Sequence, residues 1–435
     1  MMEIGDEMIK LAVIADDLTG ANDTALQFAK RNIHASVKMD LVHAVGDNRT
    51  GAAEVIVADS DSRDLDAAQA YEKVYAICTQ MRALHPQSVF KKIDSTLRGN
   101  IGAEIRAAAD AFAPDLVVIA PAYPRIRRTT VGGHHLMDGI PLDLTEIASA
   151  PKTPVHESYI PAILAKQADN PVGVLDYQTV HAGVAAIQAA LARLRSEGIR
   201  WIVSDVAEEQ NFVDLMAALR TEEKILWVGS AGLADYLPAF YGWAGAQERE
   251  VLPRTGAVVV CAGSVSHTTQ MQVRRLKECA AVAEMHLDVA RILSDPLAAE
   301  ECAHELNDLL HAGQDVLITS AQTDAEVRRA VTAGKRHGLS GKAVSERIAA
   351  FFAEVLGRAD LHGVAGVVLT GGDTAVHICR ALDVHSIEVL REIEPGVPLG
   401  VLRGRHAESV FVVTKAGAFG TEDAFVHAVH EIRNI

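Results

Sequence analysis

Short β-branched and aliphatic runs alternate with stretches of helical length along most of the chain. Leu11-Ala12-Val13-Ile14-Ala15 precedes a helical stretch at 21–31, and Glu54-Val55-Ile56-Val57-Ala58 precedes one at 64–84. Ser88-Val89-Phe90 leads into 101–112, and Leu116-Val117-Val118-Ile119 follows. Such alternation predicts βαβ units around a mainly parallel sheet. The rhythm continues at 172–175, 201–203 and 225–228, then breaks at 240–256, where Gly242, Gly245, Pro253 and the charges Glu248, Arg249 and Glu250 read as a surface linker. A second series of strands is predicted at 257–261, 316–319, 367–370 and 410–413. The expected fold is α/β in two domains, 1–245 and 255–435, each a mainly parallel sheet flanked by helices, with an active-site cleft between them.

Size agrees with two domains, since 435 residues exceed the length at which one core keeps growing. A composition of 49% hydrophobic and 23% charged residues can bury enough apolar area to fold. Charge narrows the partners. With 57 acidic against 41 basic residues the net charge is -16, a field that repels nucleic acid and anionic lipid. It also repels an anionic substrate, so a site for one must gather basic residues locally. Cys78, Cys261, Cys279, Cys302 and Cys379 are odd in number and include no C-x-x-C, which fits a reducing compartment and small core residues. Residues 1–8 are polar and acidic, and no apolar run approaches ~18 residues, so a cytoplasmic location is expected.

Candidate chemistry gathers where strands end. Asp16-Asp17-Leu18-Thr19-Gly20-Ala21-Asn22-Asp23 puts two carboxylates and a glycine at the carboxyl end of the first strand, the usual address of ligands in α/β sheets. Adjacent aspartates repel, so one carboxyl can be raised toward proton-accepting range, or both can face a cation or substrate hydroxyls. One of them could equally be a helix N-cap. Lys91-Lys92-Ile93-Asp94-Ser95-Thr96-Leu97-Arg98-Gly99-Asn100 supplies the local positive cluster: Arg98 can grip a carboxylate, Lys92 can neutralise it, and Ser95 and Thr96 can bind hydroxyls or cap the next helix. Asp59-Ser60-Asp61-Ser62-Arg63 offers Arg63 to the same site. The loop 121–141, with Arg125, Arg127, Arg128, Gly132 and Gly133, suits a mobile lid over an anion. His134, His135 and Asp138 within it make a weak ligand set, and no metal site is assigned.

The C-terminal half carries turns of small residues. Gly263-Ser264-Val265-Ser266-His267-Thr268-Thr269-Gln270, Thr370-Gly371-Gly372-Asp373-Thr374-Ala375 and Lys415-Ala416-Gly417-Ala418-Phe419-Gly420 each close a predicted strand, and backbone amides there can cradle phosphate oxygens. Neither G-x-x-x-x-G-K-[ST] nor any G-x-G occurs, so a nucleotide would bind by another arrangement and a nicotinamide-dependent dehydrogenase is disfavoured. Gly229-Ser230-Ala231-Gly232 reads as a strand-to-helix turn.

Together, in this order, the motifs at 15–21, 92–100, 229–232, 263–270, 370–375 and 415–420 resemble the four-carbon acid-sugar kinase family over nearly the whole chain. The resemblance implies a sugar-acid-binding N-terminal domain, an ATP-binding C-terminal domain and phosphorylation of a C4 hydroxyl, with D-threonate ahead of D-erythronate or a 3-oxo-tetronate. By resemblance, the substrate side comprises Asp16, Asp17, Arg63, Lys92, Ile93, Asp94, Ser95 and Arg98, and the nucleotide side Ser264, Ser266, Gly371, Gly372, Asp373, Thr374 and Gly417. Where the family often carries Gly-Arg after a proline pair, Arg127-Arg128 stands. The expected mechanism has Arg63, Lys92 and Arg98 hold the substrate carboxylate while Asp16 or Asp94 takes the hydroxyl proton, and Asp373 meets Mg²⁺ travelling with ATP. A small-acid-binding sensor without turnover is the rival from another class. The partners are a small sugar acid and ATP; oligomeric state, a homodimer included, is not fixed by the sequence.

Overall fold

In the computed structural model, Leu11–Ala15 (β1) has all five residues buried, as a strand covered on both faces requires. The structure describes residues 9–39, 41, 53–150, 152–222, 224–245 and 252–435. These form two compact units, one ending and the other beginning within the stretch 245–252. Of the predicted linker, Glu248, Arg249 and Glu250 lie outside the described residues, as do residues 1–8.

The first unit adds Ala35–Lys38 (β2), Val55–Asp59 (β3), Ser88–Lys92 (β4), Leu116–Ala120 (β5), Arg128–Val131 (β6), His134–Met137 (β7), Ile140–Pro141 (β8), Val172–Leu175 (β9), Trp201–Ser204 (β10) and Ile225–Gly229 (β11). Its main sheet runs β2-β3-β1-β4-β11-β5-β10-β9. The chain leaves β1 for β3 on one side and then returns to β4 on the other, and both pairings are parallel. That reversal sets the carboxyl ends of β1, β3 and β4 side by side at a topological switch point, with Ala15 opposite Asp59 and Ile14 opposite Lys91. Beneath them, Ile93 and Leu97 pack with Ile101 and Ile105 of the helix Ile101–Phe112 and with Ile119 and Val228 of the sheet.

The stretch expected to be a mobile lid is instead a small antiparallel sheet, β6-β7-β8, with Arg128 opposite Met137 and Val131 opposite His134. Its Gly132 and Gly133 amides donate to the buried Asp205 carboxylate, so the hairpin turn is tied down.

The second unit contains Ala257–Ala262 (β12), Val282–His286 (β13), Asp315–Thr319 (β14), Val364–Thr370 (β15), Val384–Glu394 (β16), Val397–Gly404 (β17) and Phe411–Lys415 (β18). Five strands, β13-β14-β12-β15-β18, are parallel, and β17 and β16 follow antiparallel. Val258, Val260, Val368 and Val413 pack against Phe425, Val429 and Ile432 of the last helix, Ala424–Arg433. Each unit is thus a mainly parallel sheet with flanking helices. Among the described residues no helix is long and apolar enough to cross a membrane.

Candidate functional site

At the carboxyl ends of β1, β3 and β4 three aspartates meet three cations. Arg63 is the hub. Its Nε donates to Asp16 Oδ2 at 2.7 Å and its Nη1 to Asp17 Oδ2 at 2.5 Å, while Nη2 lies 3.7 Å from Asp94 Oδ1. Asp94 is clasped by Arg98, Nε to Oδ2 at 2.7 Å and Nη2 to Oδ1 at 3.0 Å, and takes the Thr96 hydroxyl at 2.5 Å. Asp17 also caps the helix Leu18–Ala29, accepting from the Gly20 amide at 2.8 Å. The helix-cap reading of this residue is therefore realised, with its other oxygen on Arg63.

Two features remain open. Asp16 is 2% exposed, and its Oδ1 is buried with no hydrogen-bond partner. Lys92 is 4% exposed, forms no ion pair among the described residues and acts electrostatically on both Asp16 and Asp17. It lies beside Gly20, where a methyl group would come within 2.7 Å of Nζ. A buried acceptor without a donor is costly unless a ligand supplies one, and the Lys92 ammonium, which feels both aspartates but makes no close ion pair among the described residues, leaves room for an anion nearby.

Burial opposes ionisation of Asp16, but Arg63, Lys91 and Lys92 outweigh it and hold the carboxyl below its ordinary range. Asp94 is held well below that range, burial being overcome by Arg98 and Arg63. Asp17 goes the other way: burial, aided by repulsion from Asp16, outweighs the pull of Arg63. Asp59, at the end of β3, is pushed up to about 7, chiefly by burial.

Several expected roles change on this geometry. Lys91 does not join the site: its fully buried Nζ pairs with Glu104 at 2.7 Å and donates to the carbonyls of Lys92 and Ile14. Arg98 has Nε and Nη2 on Asp94 and Arg63 spans Asp16 and Asp17, so the protein's own carboxylates hold both guanidinium groups in place, while the Arg98 side chain stays 36% exposed. Ile93 turns its side chain into the core, where it is fully buried. Ser95 is half-buried, and its carbonyl accepts from His135 Nε2 at 3.0 Å. A carbonyl can only accept, so Nε2 carries the proton and Nδ1 accepts from the Thr130 hydroxyl at 3.0 Å. Burial pushes this imidazole down to about 4, leaving a neutral link from the small sheet to the Ser95 turn. The loop arginines are occupied as well: Arg125 pairs with Asp235 and Glu209, and Arg127 and Arg128 with Asp138.

In the second unit the three glycine turns converge at the ends of β12, β15 and β18. Ser266 caps the helix His267–Cys279, and its hydroxyl donates to the Gly417 carbonyl at 2.7 Å, as Thr269 does at 3.0 Å. A methyl group at Gly417 would come within 2.1 Å of Ser264 Oγ, so a larger residue there would displace that hydroxyl. Gly371 sits at φ +96°, a conformation that an L side chain rarely adopts, and it precedes the helix Gly372–Ala381 without any side-chain cap. The first amides of that helix, from Gly372, Asp373 and Thr374, therefore have no intrahelical acceptor and present the positive end of the dipole. Thr374 Oγ1 lies beside Gly263 and Gly371, and Asp373 is exposed. The structure thus brings Ser264, Ser266, Gly371, Gly372, Thr374 and Gly417 together.

Sequence reasoning missed Glu104, Ser60, Ser62 and Thr269. Ser62 donates to Glu104 at 2.8 Å and Ser60 to the Ala15 carbonyl at 2.6 Å, supports behind the aspartates. The one available signal was Glu104 itself, a charge on the apolar face that Ile101 and Ile105 define.

A family model described as a sugar-binding N-terminal domain matches residues 11–237, and one described as a nucleotide-binding C-terminal domain matches 259–425. The chain is 35% identical to a D-threonate kinase of Salmonella typhimurium, with 98% of this chain and 99% of that one covered. It is 31% identical to a D-erythronate kinase of Heliobacterium modesticaldum, covering 96% and 95%. A crystal structure from Salmonella typhimurium LT2, titled a putative tRNA synthase, superposes with a TM-score of 0.83 at 28% identity, covering 98% of this chain and 100% of that one.

Proposed function

Because the chain belongs to the four-carbon acid-sugar kinase family, we propose that it transfers the γ-phosphoryl group of ATP to the C4 hydroxyl of D-threonate. The unit before residue 245 takes the acid, and the unit from residue 255 takes the nucleotide. The observation that carries this reading is the unpartnered Asp16 Oδ1 in the field of Lys92, a buried ammonium that makes no close ion pair among the described residues. A polyhydroxy acid supplies what each lacks: a hydroxyl to donate to the carboxylate and an anion for the ammonium.

Asp16 rather than Asp94 is assigned to the reacting hydroxyl. Both Asp94 oxygens are taken by Arg98 and Thr96, whereas Asp16 has a whole oxygen left. Its depressed pKa makes it an orienting acceptor and only a weak base. That suffices for a transfer whose barrier falls mainly through in-line positioning and charge neutralisation. Arg63 keeps Asp16 charged and fixed, and Arg98 does the same for Asp94. Transfer further requires the acid and the γ-phosphate to meet during turnover, with water excluded.

On the nucleotide side, the uncapped amides after Gly371 and the hydroxyls of Ser264, Ser266 and Thr374 fit phosphate oxygens. Among the described residues no three His, Cys, Asp or Glu side chains could hold a metal by themselves. Mg²⁺ is commonly held by one or two carboxylates together with substrate phosphates, and the exposed Asp373 at the start of that helix fits this mode. Bound there, Mg²⁺ would neutralise phosphate charge. The test is an ADP-release assay over D-threonate, D-erythronate, their L isomers and 3-oxo-tetronates. D-threonate should give the highest kcat/KM; ADP release that no four-carbon acid stimulates would overturn the proposal.

A further inference from the structure

Lys415 ends β18 and is 2% exposed. Its Nζ donates to Thr370 Oγ1 and to the Gly417 carbonyl, each at 3.2 Å, and so bridges the strand ends that carry two of the three glycine turns. The Gly417 carbonyl already accepts from Ser266 and Thr269, so this ammonium sits at the convergence of the cradle. Two neutral oxygens do not balance a buried charge. The one carboxylate acting on it is Glu394, which forms no ion pair with Nζ and is committed to the Thr421 amide, the Thr421 hydroxyl and His427. Its remaining neighbour is the Phe425 ring, 5.6 Å from Nζ, so a buried cation at the strand ends that carry the glycine turns has no close counter-ion among the described residues, and an oxyanion would complete it.

We propose that Lys415 is the fixed cation of the nucleotide site, pairing with a phosphate oxyanion of a nucleoside di- or triphosphate and being locked in its charged form by it. This rests on the nucleotide-binding role given to the second unit. Burial brings the free ammonium down to about 8, with Glu394 partly offsetting it, so part of the free protein is uncharged at Lys415 above that pH. A bound oxyanion raises this pKa. Below about pH 7.5 affinity is then independent of pH. Above pH 8 binding must take up a proton, so affinity falls with rising pH by up to about tenfold per unit. Titratable groups on the helices packed around it include His427, His430 and Glu431 of Ala424–Arg433, His267 of His267–Cys279, and Asp373 and His377 of Gly372–Ala381; the charge that shifts Lys415 is Glu394.

The experiment is calorimetric titration of the full chain with MgADP at pH 7 and pH 9, in buffers of differing ionisation heat. Wild type should take up a fraction of a proton at pH 9 and bind more weakly there. Lys415→Met should lose roughly 10–100-fold affinity at pH 7 and bind without proton uptake. Lys415→Arg, whose guanidinium stays charged, should bind with no slope between the two pH values, and His427→Gln should keep the wild-type slope. Unchanged affinity in Lys415→Met, or a slope that Lys415→Arg shares with wild type, would overturn the assignment while leaving the nucleotide reading intact. A wild type that binds no MgADP would instead remove the reading beneath it.

Discussion

On the proposed reading Asp16 orients the reacting hydroxyl and Lys92 pairs with the acid, and substitutions separate the two roles. Asp16→Asn keeps the shape but loses the charge that attracts and orients the hydroxyl, so kcat should fall roughly 10²–10⁴-fold with little change in ATP affinity; a fall below fivefold would return Asp94 to candidacy. Lys92→Met should raise KM for the acid about 10–100-fold, the worth of a charge-assisted hydrogen bond. The position of these two residues was legible in the sequence, because each stands where a predicted strand ends. What could not be read was which cations would be spoken for. Lys91 and Lys92 are neighbours in sequence, yet strand alternation sends one to Glu104 inside the fold and leaves the other facing the aspartates. Lys415 lay in a motif singled out for its glycines, and only the folded structure removes its counter-ion.

At the scale of elements, the supports behind the site should prove more sensitive than their distance suggests. Lys91→Met leaves the Glu104 carboxylate buried and unpaired, which should cost about 3–5 kcal/mol in denaturant unfolding; a loss under about 1 kcal/mol would mean that the pair is not formed. His135 gives a pH signature. The unfolded imidazole takes up a proton near 6.5, and the folded one refuses it down to about 4, so stability falls as pH drops through that window, by up to roughly 3 kcal/mol. Asp59 opposes it: held up to about 7, it keeps its proton in the folded chain where the unfolded chain has lost it, so falling pH favours folding there. The difference between wild type and His135→Gln isolates the imidazole. The variant should lose less stability between pH 6.5 and 4.5, and parallel curves would contradict a buried neutral His135. The strands that carry the site were predictable from short runs of three to five mainly apolar residues. The pair β16 and β17 was not, because Glu388, Arg391, Glu392 and Glu394 interrupt the apolar pattern and only pairing with neighbouring strands explains them. The supposed lid failed for a related reason: the acids that occupy Arg125 lie 84 and 110 residues along the chain, at Glu209 and Asp235.

Over the whole molecule, a chain of net charge -16 would, on the proposed reading, meet its two anionic ligands with small buried cationic features rather than a basic surface. Two domains and their order could be read from the sequence, since strand rhythm restarts after 256. The proposal has the acid bound by one unit through Lys92 and the nucleotide by the other through the turn at Gly371. Equilibrium binding of D-threonate and of a non-hydrolysable ATP analogue to Lys92→Met and Gly371→Ala tests it most directly. Lys92→Met should lose the acid and keep the nucleotide, and Gly371→Ala, strained at φ +96°, should do the reverse. Loss of both ligands, or of neither, in either folded variant would contradict the division.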